Sequence, residues 1–358
     1  MDKRIEKILD SVLAGNRLST ADALVLWREG NFRDLGNAAH EIRNRFNAAD
    51  EVSYTAFRVV NYTNYCNIEC SFCSFMDEVG SGKGYNLSKE EILRKVEEAI
   101  KLEAPQLFLQ GGVNPDLPFS YYTDTLQAVR ETFPDVHIRA FSPVEVLYME
   151  KLIGRELSDV FSLLKAAGMH SFPGAGAEIL TDRMRDILSP KKASTTDWLR
   201  AMETAQRSGM KSSTNIVWGS EEQDEEIIAH LDALRNLQDK THGVLSFVPW
   251  TFQAQTKKFR LRKVPPHEYL KMVSLSRLFF DNIPHIEVSI MVAGKQLGEL
   301  ALHFGADDIN SPVIEENVLR SFGLKSVEES ERFISEAGFK PIRRSFSYVR
   351  GAKTDTTP

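Results

Sequence analysis

The fold class this sequence predicts is α/β: a TIM-like barrel of βα units, preceded by a helical lead-in and followed by a C-terminal extension. Three observations predict it. From about residue 57, short β-rich runs alternate with amphipathic helical stretches, the pattern of βα units around a parallel sheet. No internal repeat or low-complexity linker divides the chain, which favours one continuous barrel over two domains. At 358 residues and 42% hydrophobic content, the chain is long and apolar enough to bury such a core.

The elements follow in order. Residues 4–48 carry helical periodicity, with Ile5, Ile8, Leu9, Val12 and Leu13, then Ala23, Leu24, Leu26 and Trp27, broken at Gly15 and Gly30. Strands are expected at 57–62, 106–110, 136–141, 211–218, 244–248 and 285–290, with a weak one at 169–172. Between the first two, Ser88 and Glu91 form a capping box, and Ile92, Leu93, Val96, Ala99 and Ile100 make one apolar stripe that should pack on the sheet. Later helices are expected to start near Tyr121, Val144, Thr195, Glu221 and His267, the third preceded by Ser194 and capped with Asp197. SVEESERFISEAGF and PIRRSFSYV read as a last helix and strand. The expected division is therefore a helical extension at 1–50, a core barrel at 51–290, an extension completing it at 291–350 and a disordered tail at 351–358.

Composition narrows the function classes. A net charge of -6 gives no basic field for a nucleic-acid backbone, so a small molecule is the expected partner. No run approaches the ~18 apolar residues of a membrane span, and the first residues, MDKRIEKILDSVLAG, lack a signal peptide's apolar block. A cytoplasmic location is expected.

The chain's three cysteines, Cys66, Cys70 and Cys73, all fall in NYTNYCNIECSFCSF, directly after the first expected core strand. An odd number packed this closely fits ligands better than disulfides. Structural zinc takes four protein ligands, and the nearest histidines in sequence, His40 and His137, lie well outside the motif. Three thiolates on a [4Fe-4S] cluster instead leave one iron without a protein ligand. At that iron S-adenosylmethionine (SAM) can chelate through its amino and carboxylate groups and be cleaved to a 5′-deoxyadenosyl radical.

The C-x3-C-x2-C spacing, with Phe72 before the third cysteine, resembles the radical SAM superfamily. That resemblance implies a [4Fe-4S] cluster on the three cysteines, SAM beside Phe72, and an external one-electron reductant such as flavodoxin or ferredoxin. It also implies that Gln110-Gly111-Gly112 receives the SAM methionine amino group, where glycines let the backbone approach closely. Glu178 is implied as acceptor for the ribose hydroxyls, and Ile216, Val217 and Gly219 of NIVWGSEE as the adenine cradle. A bare strand-to-helix turn and a surface glutamate at a helix N-terminus are the plainer readings of Gly111-Gly112 and Glu178. HSFPGAGAEI is not a dinucleotide fingerprint, because Ile179 stands where a third glycine is needed.

LSTADALVLW, VNYTNYC, QGGVNPDLP, HIRAFSPVEV, SFPGAGAEIL and FGADDINSPVIEENV are similar to a menaquinone (futalosine-pathway) and deazaflavin-synthase subgroup. SFVPWTFQAQT and ILSPKKASTTDWL resemble its dehypoxanthine futalosine cyclase family most. The chain departs from the subgroup at Ala175, at Thr214-Asn215-Ile216, at Ser220 and at Asp307. The resemblance implies abstraction of hydrogen from a ribose C4′ and closure onto a benzoate ring; aminofutalosine synthase-like and deazaflavin synthase-like bond formation are the alternatives. Polar residues expected to line the site are His137, Arg139, Ser142, Glu145, Thr251, Gln253 and Asp308. His137 and Arg139 share a face in a regular strand, and Arg139 is suited to a carboxylate.

Overall fold

The structure, a computed structural model, describes residues 2–253, 259–314, 323–353 and 355. The lead-in is α1 (Lys3–Leu13), α2 (Thr20–Glu29) and α3 (Phe32–Arg43). Each opens on an N-cap, Asp2, Ser19 or Asn31, whose side chain accepts from a backbone N–H two or three residues on.

The barrel follows as β1 (Glu51–Tyr54), β2 (Phe57–Asn61), α4 (Lys89–Lys101), β3 (Gln106–Gln110), α5 (Phe119–Thr132), β4 (His137–Ala140), α6 (Pro143–Ile153), α7 (Leu157–Ala167) and β5 (Ser171–Pro173). It continues through α8 (Asp182–Leu188), α9 (Thr195–Arg207), β6 (Lys211–Trp218), α10 (Asp224–Thr241), β7 (Val244–Thr251), α11 (Pro266–Phe279) and β8 (His285–Val288). The last elements are α12 (Ile290–Ala293), α13 (Lys295–Leu302), β9 (Asp308–Ile309), β10 (Val313–Ile314), α14 (Val327–Glu336) and β11 (Lys340–Arg343).

All pairings within the sheet are parallel, in the order β10-β2-β3-β4-β5-β6-β7-β8-β9-β1-β11. β1 and β2 are consecutive pieces of one segment, as are β9 and β10. Ser53 pairs with Asp308 and Phe57 with Val313, so these two segments run side by side and the sheet returns on itself. The expected barrel is therefore present. β1, β9 and β10 were not expected as strands, since two to four residues are too few to show a period.

Alternation decides what each strand residue faces. Arg58 meets Glu98 of α4 at 2.9 Å, Phe172 packs on Phe161 of α7, Ser212 meets Gln206 of α9, and Trp218 packs edge-on against Trp27 of α2. Those positions face the helices, together with the fully buried Val60, Ile138, Ile216, Phe247 and Ile286. Asn61, Phe108, Arg139, Ser213, Asn215 and Glu287 alternate with them and face the barrel axis. The capping box at Ser88 and Glu91 forms as expected; Ser88→Ala should cost about 1 kcal/mol in denaturant melts. The helix expected from Glu221 begins at Asp224 because Glu222 turns back to accept from the N–H groups of Gly219 and Ser220.

After β11 the chain turns under the N-terminal ends of the strands. Arg344 reaches Asp308 with Nε–Oδ2 at 2.5 Å and Nη2–Oδ1 at 2.7 Å, and Glu287 at 3.4 Å. The Tyr348 hydroxyl donates to Glu287 at 2.8 Å. The tail expected to lack order is in part placed: Asp355 lies 3.0 Å from Nδ1 of His137, which also meets Ser171 at 2.8 Å and stacks on Phe346. Among the described residues no helix is long and apolar enough to cross a membrane.

Candidate functional site

The loop after β2 carries the three cysteines, each partly exposed and free of disulfides. The loop is tied down on several sides. Cys66 N–H donates to Asp77 O at 3.1 Å, Ser71 N–H to Leu188 O at 2.9 Å and Cys73 N–H to Cys70 O at 3.1 Å. The sulfurs are close enough to act on one another electrostatically, and backbone N–H groups of Ile68 and Val113 point at Cys66 and those of Phe75 and Met76 at Cys73. Burial nonetheless pushes the Cys66 and Cys73 thiols up, while Lys192 opposes this at Cys73, and a metal at the sulfurs would favour their thiolates further.

The glycine pair after β3 abuts this loop. A Cβ on Gly112 would stand 2.2 Å from Tyr65 O and 2.9 Å from Cys66 Cβ, which only glycine avoids. Gly112 N–H donates to Thr63 O at 3.0 Å and Val113 N–H reaches Cys66 Sγ at 3.4 Å. Gly111 N–H donates to Glu145 Oε1 at 3.1 Å.

Glu145 and Ser142 therefore have other work than the contacts expected of them. Glu145 is buried, accepts from the Tyr62 hydroxyl at 2.6 Å and the Ser142 hydroxyl at 2.6 Å, and anchors the glycine loop from behind. Burial pushes its carboxyl from 4.5 up to about 7. A carboxyl whose proton is held more tightly when folded contributes stability below about pH 4.5, and that contribution is lost as pH rises to about 7. Glu145→Gln keeps the acceptor at Oε1 and cannot ionise. The stability of wild type relative to this variant should fall by on the order of 3 kcal/mol between those limits, read from urea midpoints at stepped pH; a flat difference would refute the buried ionisation.

Glu178, at φ 43, is only 8% exposed and its Oε1 lies 2.9 Å from Lys192 Nζ. The Lys192 ammonium also sits 5.7 Å above the Phe72 ring and is close enough to Cys70 to be stabilised by it. Phe72 in turn packs edge-on against Phe252, beyond β7. Val217 N–H donates to Glu178 O at 3.0 Å, which joins the end of β6 to the same loop. Gly219, at φ 94, leaves no room for a Cβ beside Val264. Cysteines, Phe72, Gln110–Gly112, Glu178, Val217 and Gly219 thus cluster at the C-terminal ends of the strands, where parallel barrels build sites. Thr251 and Gln253 stand at the same end of β7, Gln253 exposed.

Three expected contacts are corrected. Ile216 points at the helices, so its side chain cannot line the barrel mouth. His137 and Asp308 stand at the N-terminal ends of β4 and β9, engaged by Asp355 and Arg344. The shared face of His137 and Arg139 is real, but the strand is only four residues long and His137 is its bottom residue.

Sequence reasoning missed Lys192, although it stood inside ILSPKKASTTDWL; a lysine fourteen positions from its glutamate leaves no periodic signal. It also missed the orphaned polar atoms of the barrel interior, Asn61 Oδ1, Asn215 Oδ1 and Trp250 Nε1. Alternation from the strands could have found the first two.

Comparison with known proteins places this geometry. Residues 60–234 match the family model of the radical SAM superfamily, and residues 241–355 that of the CofH/MqnC C-terminal region. A cyclic dehypoxanthine futalosine synthase of Halalkalibacterium halodurans is 37% identical over 96% of this chain and 94% of that protein. A 5-amino-6-(D-ribitylamino)uracil–L-tyrosine 4-hydroxyphenyl transferase of Methanosarcina barkeri is 33% identical over 97% of this chain and 94% of that protein. Among solved structures, the FeFe-hydrogenase maturase HydG from Carboxydothermus hydrogenoformans has a like fold, with a TM-score of 0.77, 18% identity and coverage of 97% of this chain and 81% of that one.

Proposed function

We propose, from the premise that this chain belongs to the radical SAM superfamily, in the branch carrying the CofH/MqnC C-terminal region, that it cyclises dehypoxanthine futalosine in menaquinone biosynthesis. The family implies an iron-sulfur cluster and SAM, and an enzyme of radical chemistry acting on a small molecule. The observation carrying the narrower reading is the 37% identity, over nearly the whole of both chains, to the Halalkalibacterium synthase.

The residues present fit the implied group. Three cysteines on one loop, near enough to act on one another electrostatically, backbone N–H groups aimed at two of the sulfurs, and a glycine pair pressed against Cys66 are the donor set a thiolate-held cluster needs. When bound, cluster and SAM supply a 5′-deoxyadenosyl radical after one-electron reduction by an external donor such as flavodoxin or ferredoxin. Cys66, Cys70 and Cys73 would hold the cluster. The Gly111-Gly112 backbone, braced by Glu145, would receive the methionine end of SAM, and Glu178 its ribose, with Lys192 turning the carboxylate and balancing its charge. Phe72, Val217 and Gly219 would shape the adenine side. The substrate would lose hydrogen from ribose C4′ to the 5′-deoxyadenosyl carbon, the carbon radical would close onto the benzoate ring, and one proton, to solvent, and one electron, to an external one-electron acceptor, would leave to restore aromaticity. The barrel's task is to hold ring and sugar in contact and to keep water and stray hydrogen donors out. The same reading takes 1–50 as lead-in, 51–290 as core and 291–350 as the piece that completes the barrel.

The test follows the hydrogen. With deuterium at ribose C4′, a single deuterium should appear in 5′-deoxyadenosine, formed one for one with methionine and cyclised product. An adenosyl group recovered covalently in the product would favour the aminofutalosine synthase-like alternative instead. Wholly unlabelled 5′-deoxyadenosine would end the cyclase reading.

A further inference from the structure

The barrel interior holds a cation that no carboxylate among the described residues pairs, although Glu287 lies near enough to act on it electrostatically. Arg139 projects inward from the middle of β4, its guanidinium lying between the rings of Phe108 at 4.7 Å and Phe346 at 5.2 Å. Among the described residues it makes one polar contact: Nη2 donates to the hydroxyl of Ser213. Nε is buried without a partner, and among the described residues no carboxylate lies within ion-pair distance.

The other deeply buried arginines are treated differently. Arg277 pairs with Asp307 and also donates to Gly305 O and Pro284 O. Arg344 pairs with Asp308 and Glu287. Arg43, Arg185 and Arg235 each donate to two or more backbone carbonyls. A buried charge left unpaired costs several kcal/mol. Arg185 Nη2 and Arg235 Nε are orphaned as well, but those side chains each hold two or more backbone carbonyls, whereas Arg139 holds one hydroxyl. Burial brings the Arg139 guanidinium down to about 10, which still leaves it charged at neutral pH. Part of its surface remains open although protein surrounds it, and it lines an internal cavity with Thr55, Gln106, Asn310 and the charged Glu287 and Arg344.

Toward the C-terminal ends of the strands the interior carries the orphaned atoms of Asn61, Asn215 and Trp250. Two amide oxygens that lack donors and an indole N–H that lacks an acceptor match a hydroxylated group such as a sugar. The interior thus has the Arg139 guanidinium above the paired Arg344, Asp308 and Glu287 of the floor, and a wall of unpaired polar atoms beneath the cysteine loop.

We propose that Arg139 is the carboxylate anchor of the substrate chamber: the aromatic carboxylate enters acid-first and pairs with this guanidinium, leaving its ribose among Asn61, Asn215 and Trp250, next to the cysteine loop. This deepens the cyclase reading and rests on it. It also explains an orientation the chemistry needs, with C4′ toward SAM and the charged end away from it.

The test is equilibrium binding, by calorimetry on the reconstituted, SAM-loaded enzyme kept unreduced so that no turnover occurs. The ligands are dehypoxanthine futalosine and its carboxamide counterpart. Wild type should prefer the carboxylate, and Arg139→Met should weaken the carboxylate roughly 10- to 100-fold while leaving the carboxamide unchanged. Arg139→Gln, which keeps a hydrogen-bonding head without the charge, should give the same result should the methionine variant fold poorly. Equal carboxylate affinity in wild type and variant, or no preference in wild type, overturns the anchor alone. Binding of neither ligand by wild type overturns the cyclase reading and the anchor with it.

Discussion

Alanine at Cys66, Cys70 or Cys73, one at a time, is expected to reduce SAM cleavage to the background of the cluster-free chain. Each variant should still fold. A four-iron cluster with three protein thiolates has no spare ligand, so losing one leaves a second iron open, and neither cluster nor redox function survives. The fold is insulated from the loss because the cysteine side chains are partly exposed and belong to a loop, whereas the core lies between strands and helices. Iron content, 5′-deoxyadenosine release under dithionite and far-ultraviolet circular dichroism together check this. About four irons per wild-type chain after anaerobic reconstitution are expected; a cysteine variant that still released 5′-deoxyadenosine at the wild-type rate would show that this sulfur is not a ligand.

The second large effect is on stability and lies at the opposite end of the barrel. Arg344→Met should destabilise the chain by about 3–5 kcal/mol. Asp308 is fully buried and Glu287 nearly so, and removing the guanidinium strands both carboxylates in the interior. The same arginine carries the C-terminal segment into the barrel, so Phe346 and the Tyr348 hydroxyl lose their footing too. Double substitution with Asp308→Asn should cost less than the sum of the two single changes, because the second removes a charge that the first left unpaired. Denaturant midpoints for the four proteins measure this. Strict additivity would mean that the pair is not coupled and that the C-terminal segment is held by packing alone.

How far the sequence could be read depends on the distance over which each interaction acts. The cysteine spacing, the capping box at Ser88 and Glu91 and the alternation of strands with helices are local, involving residues within a turn or a strand of one another. They carried the fold class and marked out the three-cysteine loop. The Gly112 requirement was legible as two glycines after a strand, although its cause, the approach of Tyr65 O and Cys66, appears only once two loops meet.

What only the tertiary structure decided were pairings between residues distant in the chain. Glu145 looked like a residue of the site, and folding turned it to the back of the glycine loop, because Tyr62 arrives from 83 positions away to donate to it. His137 and Asp308 looked like mouth residues until the C-terminal segment placed Asp355 and Arg344 against them at the barrel floor. Lys192 became Glu178's partner by the way one loop crosses another. Sequence alone determined that this chain is a βα barrel with a three-cysteine loop at one strand end. Which end of each strand faces the chemistry, and which buried charges find partners, was decided by closure of the barrel: a strand position faces the mouth, the floor or the helices only after its neighbours' registers are set, and a buried ion keeps its charge only where folding brings a counter-ion within reach.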